Sequence, residues 1–337
     1  MKSILNLGGE CLEMNALFIQ PTYFCKNNCK DCYVKARLAH PTNNEGNYLK
    51  LRYFRDLVDL LHSGKIWTNQ ITLSLDVLPE TRSEYSLMLD YFNLFLGRIL
   101  LKKIDKREIH LTFNSLNSFL EYRSASLIFS YSWRTHDYQN FITMTSFSNI
   151  KKEELPFIKE LRTAIKVNYN HRLPYVDSTN IKSYINTIQK IADNVDSIYL
   201  IIDKDPVGSK ISNERELFLT SRLRSNIVTI NTLKKYLSKD AWSKCHIDGC
   251  LQDIIKHRQT GFGCSSNISR FQLWPDGSVS GCPYSIDGIN TATHQDIRVF
   301  KNNIKAARKQ YDFLSRCYLP RIYNNICRGS ENIQSTL

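Results

Sequence analysis

The feature that most limits what this chain can be is Pro21 to Tyr33, PTYFCKNNCKDCY, with Cys25, Cys29 and Cys32 spaced C-x3-C-x2-C. It follows directly on the apolar, strand-like run Leu17 to Tyr23. Three thiolates this close together on a tight loop can hold three corners of a four-iron four-sulfur cluster. Such clusters normally take four cysteines, so three local ones leave one iron open to a substrate or a cofactor. The competing chemistry is zinc, which prefers C-x2-C pairs closed by a second pair or by histidines. Cys29 and Cys32 make one such pair, but Cys25 then has no role, and His40 falls outside the usual spacing.

The chain has 337 residues, 42% of them apolar and 23% charged, enough to bury a large core in one or two domains. No run of eighteen apolar residues is present, so no membrane span is expected. The N-terminal segment makes a poor signal peptide. Ten cysteines, three at cluster spacing, argue for metal ligands in a reducing compartment rather than a disulfide framework, so a cytoplasmic location is expected. The net charge of +13 points to an acidic partner, whether a peptide, a nucleotide or RNA. Solubility plus an AT-rich genome that favours lysine and asparagine explains it equally well.

Strand and helix patterns alternate along most of the chain. Strand-like runs are Leu17 to Tyr23, Gln70 to Val77, Glu108 to Ser115, Ala164 to Asn170 and Ser197 to Asp203. Ser126 to Trp133 and Phe141 to Phe147 compete for the fourth position. Helices are expected over Tyr53 to His62 with Gly64 as its stop, Ser83 to Leu96 with Gly97 as its cap, and Leu116 to Tyr122. The stripe Ile181, Ile185, Ile188 and Ile191 marks another, with Asp177 or Ser178 as its cap. This order predicts parallel strands joined by crossover helices, an open (β/α)6 part of a TIM-like barrel, with its site at the C-terminal mouth.

After Asp203 helices are expected to about Leu237, followed by Cys245, Cys250, Cys264, Cys282, Cys317 and Cys327. The stretch from Cys264 to Cys282 reads as a β-hairpin, with an alternating strand (Phe271, Leu273) and a turn on Pro275-Asp276-Gly277. A hairpin brings its ends together, so these two cysteines can share a metal, iron–sulfur or zinc. Lys301, Lys305, Arg308 and Lys309 share one face of a late helix. That is either a solvated face or a contact for an acidic substrate.

The C-x3-C-x2-C loop after the first strand resembles the radical S-adenosylmethionine (radical SAM) superfamily. The resemblance implies that SAM binds the open iron. One electron then cleaves it to methionine and a 5′-deoxyadenosyl radical, which abstracts hydrogen from a substrate. The family's aromatic residue before the third cysteine is replaced by Asp31, and Tyr33 comes one place late. The Gly-Gly-Glu-Pro run after strand two is replaced by Leu75 to Glu80, in which Asp76 or Glu80 would accept from the SAM ammonium group. Asn114, Ser130, Ser132 and Asn168 stand at strand positions that contact SAM in the family, Asn168 towards the ribose.

Cys264, Gly277 and Cys282 resemble the auxiliary-cluster module called SPASM in its long form and twitch in its short form. The dense cysteine group of the long form is absent, so the resemblance implies one auxiliary [4Fe-4S] cluster on Cys264, Cys282, Cys317 and Cys327. Cys245 and Cys250 have three readings: packing, substitute ligands, or, at Cys250, hydrogen donation to a substrate radical.

The implied organisation is a lead-in (1–16), a partial barrel (17–210), a helical region (211–260) and a twitch/SPASM-like α+β module (261–337). The implied function is radical modification of a ribosomally made peptide, by cross-linking, thioether formation or epimerisation. A small molecule, a nucleotide or RNA is the alternative substrate. The implied partners are a flavodoxin- or ferredoxin-like electron donor and an acidic peptide. The rival of another class is a non-catalytic zinc protein that binds nucleic acid.

Overall fold

The structure is a computed structural model that describes residues 11–26, 32, 34, 47–100, 107–126, 139–144, 159, 162, 166–173, 181–202, 212–256, 269–282, 295, 297–309 and 322–323. The chain runs β1 (Leu12–Ile19), α1 (Leu51–His62), β2 (Ile66–Leu75), α2 (Arg82–Phe95), β3 (Glu108–Phe113), α3 (Leu116–Ala125), β4 (Gln139–Met144) and β5 (Lys166–Arg172). It continues through α4 (Ile181–Asn194), β6 (Ser197–Ile201), α5 (Asn213–Tyr236), α6 (Lys239–Ser243), β7 (Cys245–Ile247) and α7 (Gly249–Lys256). The hairpin β8 (Arg270–Leu273) and β9 (Val279–Ser280) and the helix α8 (Ile297–Lys309) follow.

These strands form one sheet in the order β7-β6-β5-β4-β3-β2-β1-β8-β9, parallel except for the β8–β9 pair. Strands β1 to β6 lie side by side in chain order. With the right-handed crossovers that parallel strands adopt, every connecting helix then falls on the same face.

The register gives the two faces opposite character. One row of partners is Ile19, Leu73, Leu111, Ile142 and Val167, and another is Leu75, Phe113, Met144, Tyr169 and Ile198. Of these, Ile19, Leu73, Leu75, Leu111, Phe113, Val167, Tyr169 and Ile198 belong to the core, with Phe54, Leu57, Val58 and Leu61 of α1 and Tyr91, Phe92 and Phe95 of α2. The row between them is Ser74, Thr112, Thr143, Asn168 and Ser197, polar at every position. Alternate residues of a strand face opposite ways, so the second face of the sheet is polar along its C-terminal half. Towards the N-terminal end of β1 the pattern reverses: Leu12, Met14 and Ala16 are buried while Glu13 and Asn15 are exposed.

Local chemistry explains most boundaries. Gly64, at φ +74°, ends α1 in the left-handed region, and its amide donates to the Leu61 carbonyl. Thr81 and Glu84 form a reciprocal capping box at the start of α2. Gly97 is not the cap expected of it, because the helix runs on into a π-helical turn, Leu96–Leu100. The first strand spans Leu12–Ile19, not Leu17 to Tyr23: from Thr22 the chain turns to pair antiparallel with Tyr48. The fourth strand is Gln139–Met144, which settles the competition for Phe141 to Phe147; Leu127 to Trp133, Asp177 and Ser178 lie outside the described residues.

The expected hairpin is present, but β8 does not alternate. Phe271, Gln272 and Leu273 are all buried because β8 lies between β1 and β9. Its turn is the three-residue kind closed by a glycine. Gly277 N–H donates to the Trp274 carbonyl at 2.9 Å, Trp274 N–H donates to the Ser278 carbonyl at 2.9 Å, and Gly277 sits at φ +81°.

Candidate active site

The chain leaves β1 with its next residue still in the ladder: Gln20 N–H donates to the Leu273 carbonyl at 2.9 Å. Beyond it the segment to Lys26 is fixed from three sides. Tyr23 N–H donates to the Asn47 carbonyl, and Leu49 N–H to that of Pro21, each at 2.8 Å. On the β2 side, Leu78 N–H points at Cys25 Sγ at 3.4 Å, and Lys26 N–H donates to the Leu78 carbonyl at 2.7 Å. On the hairpin side, the Tyr23 ring stacks on Trp274 at 6.2 Å and 26°. Trp274 is fully buried, donates through Nε1 to Ser280 Oγ at 2.8 Å, and packs with Val34 and Cys32.

Cys25 and Cys32 are therefore half-buried thiols, outside any disulfide, at the C-terminal end of β1, one against the exit of β2 and the other against the hairpin. Cys29 and Tyr33 lie outside the described residues. Among the described residues no three Cys, His, Asp or Glu side chains gather as a metal-binding group.

Next to Cys25, the exit of β2 carries Asp76. Its Oδ1 is sealed from solvent without a hydrogen-bond partner among the described residues. Burial pushes its carboxyl from an ordinary 3.8 up to about 6, against a hydrogen bond from its own backbone. Glu80 is exposed at the start of α2, where its backbone N–H donates to Glu84 Oε2 at 2.7 Å. Of the two acids expected near SAM, only Asp76 has a carboxylate oxygen shut off from solvent, on a residue that is half-buried as a whole.

Asp76 belongs to a set. Gln20 Oε1, Thr112 Oγ1, Asn168 Nδ2 and Gln272 Nε2 are also buried without a partner among the described residues. All five stand on the polar face by strand alternation. Buried polar atoms are nearly always hydrogen-bonded, and each orphan costs about 1–3 kcal/mol. Five such atoms stand together on this face.

Lower on that face His110 and Glu108 meet at 3.2 Å. Burial holds the imidazole below its ordinary pKa, so near pH 7 it is neutral and donates to the carboxylate. Burial and, second, the Glu108 carboxylate push the Tyr199 phenol up. Tyr199 stacks on His246 at 5.2 Å, and His246 Nε2 lies 3.2 Å from Ser197 Oγ.

The other expected residues are dispersed. Asn114 directly follows β3. Cys282 is half-buried just beyond β9, with Ser280 Oγ donating to its carbonyl at 3.1 Å. Cys245 and Cys250 lie at β7, the opposite end of the strand order. Burial pushes the Cys245 thiol up to about 11, and it donates to the Ala241 carbonyl at 3.4 Å, which suits packing. Cys250 opens α7, its N–H donating to Asp248 Oδ1 at 2.8 Å. Ser130, Ser132, Cys264, Cys317 and Cys327 lie outside the described residues.

Of the basic stripe, Arg308 is spent on structure: it donates to the Glu13 carbonyl and lies over the Phe271 ring at 5.7 Å. Sequence reasoning missed Gln20, Thr112 and Gln272. The available signal was a glutamine set among apolar neighbours, FIQPTYF and RFQLW.

Among the described residues no helix is long and apolar enough to cross a membrane. No protein-family model matches the chain, and no curated protein matches it in sequence. Three solved structures are similar to it at low identity. Streptococcus suis SuiB bound to S-adenosylmethionine has 11% identity and a TM-score of 0.48 over 87% of this chain and 68% of that one. Native anSMEcpe with bound AdoMet has 12% identity and a TM-score of 0.45 over 94% of this chain and 100% of that one. The histidine-tagged form of anSMEcpe with bound AdoMet has 12% identity and a TM-score of 0.46 over 91% and 87%.

Proposed function

We propose that the chain is a radical SAM enzyme that abstracts hydrogen from a ribosomally made peptide. One observation carries the reading. The C-x3-C-x2-C loop leaves β1 at the C-terminal end of a parallel sheet, tied through Cys25 to the β2 exit, where Asp76 holds a sealed, unused acceptor. Soft thiolates suit an iron–sulfur cluster. Cys25, Cys29 and Cys32 would hold that cluster, which when bound supplies the electron that cleaves SAM to a 5′-deoxyadenosyl radical.

The chain's own residues bind, orient and shelter. Asp76, deprotonated, accepts from the SAM ammonium group, which replaces the water its carboxylate has lost. Asn168 offers its unused Nδ2 to the ribose. By the family resemblance, Asn114, Tyr33, Ser130 and Ser132 would complete the cofactor side. Tyr23 stacked on Trp274 closes the loop away from β2 and keeps water from the radical.

The consecutive order of β1 to β6 is what an open (β/α)6 barrel needs. The division into a barrel (17–210) and a twitch-like module (261–337) carries a second cluster on Cys264, Cys282, Cys317 and Cys327. Cys250 would return hydrogen in an epimerisation. A flavodoxin or ferredoxin would supply electrons, and the charge of +13 suits an acidic peptide.

Anaerobic reconstitution followed by SAM and a reductant tests the reading. The expected result is about eight irons per chain, two four-iron clusters, with 5′-deoxyadenosine formed. About four irons with 5′-deoxyadenosine removes the second cluster. Zinc alone, with no cleavage, overturns the enzyme and leaves the zinc-binding, nucleic-acid-binding protein.

A further inference from the structure

Two of the orphaned groups differ from the rest. Gln20 and Gln272 come from chain segments about 250 residues apart, yet β1 and β8 are neighbours, with Phe18 opposite Gln272. Gln20 stands two residues beyond Phe18, so both carboxamides lie on the polar face in diagonal positions. Gln20 is 0% exposed and Gln272 4%. Gln20 Nε2 donates to the Thr22 carbonyl at 3.1 Å, which fixes the amide so that Oε1 is the unused atom. At Gln272 the unused atom is the donor, Nε2.

An unused acceptor and an unused donor side by side would pair if they could reach. They do not, and diagonal positions on neighbouring parallel strands lie about 8 Å apart at Cα. That gap suits a ligand group carrying one N–H and one C=O on opposite edges. The secondary amide of a peptide bond has that form.

We propose that Gln20 and Gln272 form a peptide-backbone subsite, Gln20 Oε1 accepting from a substrate N–H and Gln272 Nε2 donating to a substrate C=O. The pair stands beside the β1 exit, on the face that carries Asp76, so a peptide held there lies next to the cysteine loop. The inference deepens the radical SAM reading by naming how substrate is recognised, and rests on that reading only for calling the bound peptide a substrate. The carboxamides read backbone and not side chains, so specificity for one peptide must come from other contacts, the basic surface among them.

The test is a titration of the full-length, 15N-labelled protein with N-acetyl-alanine N′-methylamide, following the side-chain amide signals of Gln20 and Gln272. It needs neither iron nor SAM cleavage, so its failure and failure of the radical chemistry are separate results. Both signals are expected to shift saturably. The analogue with esters in place of both amide N–H groups is expected to bind about tenfold more weakly, because Gln20 Oε1 is left unpaired.

Gln272→Leu is expected to abolish the response with thermal stability unchanged or raised, since it removes an unsatisfied buried donor. Gln272→Glu, similar in shape without the donor, is expected to abolish the response as well. Three results overturn the proposal: equal response to amide and ester, signals that respond to SAM and not to the amide, or a Gln272→Leu protein that melts lower. The last would mean that the side chain serves the fold, through buried water or otherwise.

Discussion

Asp76→Asn is the perturbation with the most to teach. The substitution keeps the shape of the side chain and removes its charge. The carboxyl is raised from 3.8 to about 6, chiefly by burial. A folded-state pKa above the unfolded one means that the protonated form is favoured by folding. The stability it brings is full below about pH 3.8 and is lost as pH rises through about 6. A difference of about two units at 1.36 kcal/mol each is roughly 3 kcal/mol. Spread over an unfolding entropy of about 0.7 kcal/mol/K for a chain of this length, that is about 4 °C.

The apo Asp76→Asn protein is therefore expected to melt about 4 °C above the parent at pH 8, and level with it at pH 4. Differential scanning fluorimetry across pH reads both. SAM should reverse the order at pH 8, stabilising the parent and not the variant, because only a carboxylate pairs with the ammonium group. SAM affinity of the parent should rise with pH through about 6. An apo variant that melts no higher than the parent at pH 8 would refute the claim that Asp76 is held charged at a cost.

Further outcomes follow from other parts of the molecule. Cys25→Ala, Cys29→Ala and Cys32→Ala should each remove about four irons and all 5′-deoxyadenosine, whereas Cys245→Ser should leave the iron count unchanged, since its thiol is protonated and bonded to Ala241. Gly277→Ala meets φ +81° and would put a Cβ 3.0 Å from Gln295 Cγ. It should cost about 1–2 kcal/mol, read as a fall in melting temperature of about 1–3 °C. Burial lowers His171 to about 4, between the Tyr184 hydroxyl at 2.8 Å and the Tyr169 hydroxyl at 3.3 Å. Its neutral form is favoured by folding, so that stability is full above about pH 6.5 and is lost as pH falls towards 4. His171→Gln should flatten that loss, seen in melting curves recorded between those limits. Asp76 gains stability over much of the same interval, so the parent alone would show little net change and each variant is needed to expose its own contribution.

Local signals were legible where one segment decides the outcome. The stripe of Phe54, Leu57, Val58 and Leu61 makes α1, Gly64 ends it, and Pro275-Asp276-Gly277 makes the turn. They fail where a distant partner decides. The apolar run to Tyr23 places the first strand too late, because it continues past the point where Thr22 turns to Tyr48. Gly97 carries a helix-stop residue in a segment where the chain stays helical. No short-range pattern gives β8 its partner, β1, because the two are far apart in the chain. The cysteine spacing of the first loop is a local signal too, and the structure puts Cys25 and Cys32 just beyond β1. The polar row was not: one polar residue per strand is ordinary alternation, and only the register lines Ser74, Thr112, Asn168 and Ser197 up across the sheet.

The seat of the cysteine loop also has a history. Cys25 emerges from the ribosome early, but Trp274, against which Tyr23 and Cys32 rest, is made roughly 250 residues later. At about 5–20 residues per second the loop waits on the order of 10–50 s for the surface that holds it. During that interval its thiols are open to oxygen and to the wrong metal. If the loop holds the proposed cluster, its loading is tied to completion of the chain, and a ribosome that stalls before the hairpin leaves a nascent protein with the three cysteines but without their support.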